Sequence, residues 1–217
     1  MTTISKEEIC KVFNFLNKSG LDYILLRNIN NELPDNLIKW KDVDFLARKN
    51  DKKRWVNILY KIGFQKKILH PLWNDIRLYG VDRFDMFSNK NNGISLDFHY
   101  QLVCRSTNNR EWIPLDKDIQ NSAWKNRQLI KQRKLQYYAL SNEDYFLHLI
   151  TRCIFDKGFF SEEYIKEIKK YEPILHLTLL TSKFNKVFFK FTNTLLHMIN
   201  IGEFNKIREA YISFSEY

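Results

Sequence analysis

Asp42 and Asp44 stand two apart in Lys41-Asp42-Val43-Asp44-Phe45-Leu46-Ala47, where alternation predicts a β-strand. Successive strand side chains point to opposite faces, so the two carboxylates share one side and Val43, Phe45 and Ala47 the other. Like charges at that spacing repel unless a cation lies between them, and a hard divalent ion such as Mg²⁺ (or Mn²⁺) prefers oxygen ligands of this kind. The same short pattern occurs in solvated turns at loop-to-strand junctions, so the pair alone leaves both readings open. Asp97 is the third carboxylate, mid-strand in Ile94-Ser95-Leu96-Asp97-Phe98-His99-Tyr100. Flanked by large apolar neighbours, it needs water, a partner or a metal. His99 shares its face by period two and is a candidate to support Asp97 or to bind a substrate phosphate. Asp82 and Asp85 fall nearby and read as ordinary exposed-face residues. His148, in an otherwise apolar helix, reads as a core histidine.

The elements that must position these groups are legible around them. Ser5-Lys6-Glu7-Glu8 fits a capping box, followed by Ile9, Val12, Phe13 and Leu16 at helical spacing and a stop at Gly20. Tyr23-Ile24-Leu25-Leu26 is a short apolar strand ending at Arg27-Asn28. A turn-rich loop through Asn30, Asn31 and Pro34 then delivers the chain to the Asp42–Asp44 strand. Asn50-Asp51 is placed to cap a helix with Trp55, Ile58, Leu59 and Ile62 on one face. Ile76–Leu78 and Arg83–Phe87 read as adjacent strands, or one strand interrupted at Gly80. Arg83–Phe87 and Ile94–Tyr100 flank an Asn-rich turn and form a hairpin. Residues 105–140 read as irregular, with a short helix near Asp118–Trp124. Ser141 starts a helix with Tyr145, Phe146, Leu149, Ile150, Cys153 and Ile154 on its apolar stripe, closed by Gly158. Ser161 opens another, and further helices follow. The expected class is α+β: a mixed sheet flanked by helices over residues 1–104, then a mainly helical region over 105–217 packed on it.

With 44% hydrophobic and 15% aromatic residues the chain can bury a core and is not a disordered one. Its 35 basic and 25 acidic residues give a net charge of +10, which favours anionic partners: nucleotides, phosphorylated sugars, nucleic acid or the inner membrane surface. No apolar run reaches the roughly 18–20 residues of a membrane span, and the N-terminus lacks the order of a secretion signal. Three widely spaced cysteines without a Cys-x-x-Cys pair suit reduced thiols in the cytoplasm and exclude a zinc-finger or disulfide framework. P-loop, Rossmann, serine nucleophile-elbow and His-Glu-x-x-His signatures are absent.

Taken in order, the strand Tyr23–Asn28, Glu32-Leu33-Pro34, the Asp-x-Asp strand 41–47, the Asp97 strand 95–102 and the block 140–158 resemble the polymerase-beta-like nucleotidyltransferase superfamily. More closely, they resemble its minimal bacterial nucleotidyltransferase-like family, found in surface-polysaccharide gene clusters. The resemblance implies Asp42, Asp44 and Asp97 as catalytic carboxylates holding two Mg²⁺ or Mn²⁺ ions. It implies a nucleoside triphosphate or other phosphoryl donor and a small sugar or phosphorylated acceptor, joined by in-line attack on phosphorus. Arg27, Asn28 and Lys41 would meet the nucleotide. The same fold also serves NMP transfer to RNA or protein in toxin–antitoxin and defence systems, or persists as an inactive binding module. One departure is plain: the superfamily has Gly-Gly or Gly-Ser after the first strand, and this chain has Arg27-Asn28-Ile29.

Overall fold

The structure is a computed structural model and describes residues 2–68, 76–107, 111–132 and 134–215. Helix α1 (Lys6–Lys18) starts where expected, with the Ser5 Oγ accepting from the Glu8 amide, and it buries Ile9, Val12, Phe13 and Leu16. After it come β1 (Tyr23–Leu25), a 3₁₀ turn (Ile29–Asn31), β2 (Asp42–Ala47) and α2 (Lys52–Lys61). Asp51 flanks α2 without capping it, since its carboxylate accepts from Arg54 instead. Strands β3 (Gln65–Lys66), β4 (Ile76–Arg77), β5 (Asp85–Asn89), β6 (Ile94–His99), β7 (Val103–Arg105) and β8 (Glu111–Pro114) follow, then α3 (Lys117–Lys125). A hairpin of β9 (Gln128–Gln132) and β10 (Leu135–Ala139) leads to α4 (Asn142–Thr151), which runs on into a π-helical turn, Arg152–Lys157. Helices α5 (Glu162–Tyr171), α6 (Leu177–Phe188), α7 (Thr192–Asn200) and α8 (Ile207–Ser213) complete the chain.

Among the described residues the strands form a seven-stranded mixed sheet, ordered β3-β5-β6-β2-β1-β10-β9, and a small sheet ordered β4-β8-β7. Two expectations are corrected here. Ile76–Arg77 is no neighbour of β5, because it pairs in parallel with β8 in the small sheet. Residues 105–140 are not irregular either: besides β8 and α3 they supply β9 and β10, and β10 lies parallel to β1. The main sheet therefore does not end at residue 104. The α+β class and the helical C-terminal half stand as expected.

Period two divides the strands between two cores. Tyr23, Leu25, Val43, Phe45, Ala47, Leu96 and Phe98 pack with α1 and α2, where Phe45 stacks on Phe98 at 5.2 Å and Trp55 lies 5.1 Å from Phe98. Ile24, Leu26 and Leu46 turn the other way, into a core shared with α4, α5, α6 and α7. The even-numbered side of β2 and the odd-numbered side of β6 thus face the C-terminal helices. That is the side on which the acidic residues lie.

Candidate active site

β2 and β6 are neighbours and run parallel, with Asp42 opposite Ser95, Asp44 opposite Asp97 and Leu46 opposite His99. Residues from two strands far apart in sequence are therefore brought together by register alone. Asp42, Asp44 and Asp97 all line one cleft of about 310 Å³, together with Arg27, Asn28, Lys41, Arg152, Lys157 and Tyr164. Asp85 is elsewhere: it is buried, and it pairs with Lys66 at 2.6 Å and accepts from the Tyr100 hydroxyl at 2.7 Å. Asp82 is engaged by Lys49 at 2.8 Å.

The three carboxylates differ in setting. Asp42 is half exposed, with Lys67 Nζ 3.8 Å from its Oδ1. Asp44 forms an ion pair with Arg27, and its Oδ1 lies 3.6 Å from His99 Nε2. Burial alone would raise the Asp44 pKa, but Arg27 and His99 overcome it and hold the carboxyl well below the usual range. Asp97 is 8% exposed and its Oδ1 has no hydrogen-bond partner among the described residues. Burial, followed by repulsion from Asp42 and Asp44, pushes its pKa up to about 8. Asp44, Asp97 and His99 each offer one ligand atom, all within 4.8 Å of one another. The His99 ring is fixed by stacking on Phe84, centroids 5.0 Å apart and planes 24° from parallel.

The residues expected to meet a nucleotide line the cleft but are already engaged. Arg27 pairs with Asp44 and donates to the Tyr164 hydroxyl at 3.2 Å. Lys41 pairs with Glu32. Asn28 pins the loop after β1: its Oδ1 accepts from the Leu33 amide at 2.9 Å and its Nδ2 donates to Tyr137 at 3.3 Å. Further along the same loop Asn30 and Asn31 take left-handed backbone, at φ of 57° and 52°. Arg152 and Lys157 lie within the resembling block 140–158, yet neither they nor Tyr164 read as site residues in the sequence. Tyr164 shows only as part of a helical apolar face, and the two cations only as surface charges.

Several solved structures superpose on this chain. An antigenic nucleotidyltransferase-like protein from Paracoccidioides brasiliensis superposes with a TM-score of 0.50 at 13% identity, covering 97% of this chain and 94% of that one. At that identity the likeness is one of fold. The antibiotic-resistance factor ANT(2'')-Ia gives 0.49 at 10% identity, over 91% of this chain and 97% of its own. Lincomycin-bound lincosamide antibiotic adenylyltransferase LnuA gives 0.47 at 11%, over 80% and 100%. No curated protein matches the sequence. Residues 36–168, which carry all three carboxylates, match the model of a family described as "Uncharacterised nucleotidyltransferase", and the chain belongs to that family.

Proposed function

We infer that this chain is a metal-dependent nucleotidyltransferase that moves a nucleoside monophosphate from a nucleoside triphosphate to a hydroxyl of a small sugar or phosphorylated acceptor, of the kind built into surface polysaccharide. One observation carries the reading. Register sets Asp44 against Asp97, Asp42 lies two residues back on the same face, and all three open on one cleft.

The donor set suits a hard divalent cation. It consists of carboxylate oxygens and one imidazole, and the buried Asp97 Oδ1 has no partner among the described residues. Asp42, Asp44 and Asp97 would hold Mg²⁺ or Mn²⁺, with His99 beside Asp44. Such an ion, when bound, neutralises charge on the phosphates and favours the ionised acceptor hydroxyl.

The chain's own residues do the rest. Arg27 holds Asp44 ionised at its place on β2. Phe84 fixes the His99 ring. Asp97, opposite Asp44 on the neighbouring strand and with Oδ1 free of any hydrogen bond among the described residues, is suited to receive the acceptor's proton once ionised. The acceptor oxygen bonds to the α-phosphorus, the bond to the pyrophosphate oxygen breaks, and the proton passes to the Asp97 carboxylate.

The test is calorimetric titration of Mn²⁺ with each of the four NTPs, on the natural protein and on Asp42→Asn/Asp44→Asn. Metal-dependent nucleotide binding lost in the double variant is the expected result. Equal binding by both proteins would remove the carboxylates from the site.

A further inference from the structure

Two guanidinium groups converge on one hydroxyl at the edge of the cleft. Tyr164 Oη accepts from Arg27 Nη1 and from Arg152 Nε, each at 3.2 Å. The ammonium of Lys157 lies 4.9 Å from the centroid of the same ring. Tyr164 is buried, and burial raises its pKa, so it remains a phenol with a proton to donate. Its oxygen already receives two donors, and its own O–H finds no acceptor among the described residues.

The backbone explains why Arg152 and Lys157 arrive together. They stand five residues apart, which on an α-helix would separate them by well over a third of a turn. The segment is π-helical, closed from i to i+5, so residues at that spacing come round to the same side. Gly158 ends the turn at φ 77°, and a Cβ there would meet Arg208 Nε at 3.3 Å. Arg27 is balanced by Asp44, and Arg152 gives one nitrogen to Asp156 at 3.3 Å. Lys157 is exposed and has no carboxylate within 4 Å among the described residues. Glu163 also lines the cleft, and it is exposed to solvent.

The geometry points to a polyphosphate subsite built from Tyr164, Arg152 and Lys157. It takes the β- and γ-phosphates of the donor and replaces the backbone amides that a Gly-Gly or Gly-Ser turn would offer after β1. An arginine fork and a flexible ammonium are the side chains suited to phosphate oxygens, and the Tyr164 O–H adds a neutral donor. The assignment of a nucleotide donor rests on the function proposed above; the anion subsite itself does not.

Calorimetry with inorganic tripolyphosphate and, separately, with Mn²⁺ and each NTP separates the two. Natural protein should bind tripolyphosphate, and Lys157→Met should weaken both it and the Mn²⁺–NTP complex by about tenfold or more. Lys157→Arg should restore most of the loss, and binding of a nucleoside monophosphate should be unchanged by Lys157→Met. Lys157 is exposed, so its variants test the site without disturbing the core; Tyr164→Phe, checked by thermal melting, tests the hydroxyl. Measurable NTP or tripolyphosphate binding that is equal in natural protein and Lys157→Met overturns the subsite. Lys157-dependent tripolyphosphate binding without any nucleotide binding supports the subsite and overturns the nucleotidyl-transfer reading.

Discussion

Asp44 and Asp97 sit opposite one another across the parallel strands β2 and β6, and the fold drives their proton affinities in opposite directions. Arg27 and His99 hold Asp44 ionised against its burial, whereas Asp97 is raised to about 8 by burial and by its two acidic neighbours. Two carboxylates split in this way can take different roles at one pH.

Between about pH 4 and pH 8 the folded protein keeps a proton on Asp97 that the unfolded chain has released. Its raised pKa therefore subtracts stability progressively as pH rises through that window. In metal-free protein Asp97→Asn should gain stability with rising pH, on the order of 2–4 kcal/mol by pH 8. Urea denaturation at pH 5 and pH 8 checks this; equal gains at both would show that Asp97 ionises normally. A bound cation displaces that proton, so Mn²⁺ affinity should rise by about tenfold per pH unit below 8.

Arg27 neutralises a carboxylate whose side chain is only 15% exposed. Arg27→Ala leaves Asp44 buried and uncompensated, at a cost of about 3–5 kcal/mol. Adding Asp44→Asn should recover most of that loss. Additive effects in the double-mutant cycle would mean that the pair is not coupled.

How much of this was legible in the sequence follows from how local each signal is. Asp42 and Asp44 declare a shared face by period two, and Asp97 breaks an apolar strand. The block beginning at Ser141 was readable as a helix start, and its Asp144 has a physical reason. It accepts from Ser141 and Ser122 at 2.9 Å and from Lys183 at 2.5 Å, tying α4 to α3 and α6. The hairpin Gln128–Ala139 was missed because its first strand is mostly solvent-facing, with Leu129 40% exposed, and its sheet partner β1 lies more than a hundred residues earlier. The convergence of Arg27, Arg152 and Lys157 on Tyr164 comes from tertiary packing and a π-turn, neither of which leaves a periodic trace.

Asp42 offers a clean separation of chemistry from folding. Its side chain is 43% exposed and Lys67 approaches no closer than 3.8 Å, so Asp42→Asn should change stability by less than about 0.5 kcal/mol. Nucleotidyl transfer should nevertheless fall by about a hundredfold or more, as it should in Asp97→Asn. Initial-rate assays with the nucleotide identified by calorimetry decide it, and normal turnover in either variant would exclude that residue from the reaction.

His148 supplies a pH response of the opposite sign. It is buried in α4, its Nε2 has no partner among the described residues, and burial, then the nearby Arg27 charge, lowers its pKa to about 3. The folded protein keeps this imidazole neutral while the unfolded chain takes up a proton below about pH 6.5. Its lowered pKa therefore costs stability as pH falls from 6.5 toward 3, by about 2 kcal/mol at pH 5. Over pH 4–6.5 this slope opposes that of Asp97 and, up to about pH 6, that of Asp156, whose pKa burial raises to about 6; above 6.5 the Asp97 slope remains. Natural metal-free protein should thus lose stability as pH rises above 6.5, where nothing offsets Asp97. Relative to the natural protein, His148→Leu should gain stability as pH falls below 6.5, whereas Asp97→Asn should gain it as pH rises toward 8. Urea midpoints at half-unit pH steps for the three proteins test this, and the His148 ring protons should not titrate by NMR between pH 5 and 8. A His148→Leu profile parallel to that of the natural protein would mean that the buried ring is charged or solvated in the fold.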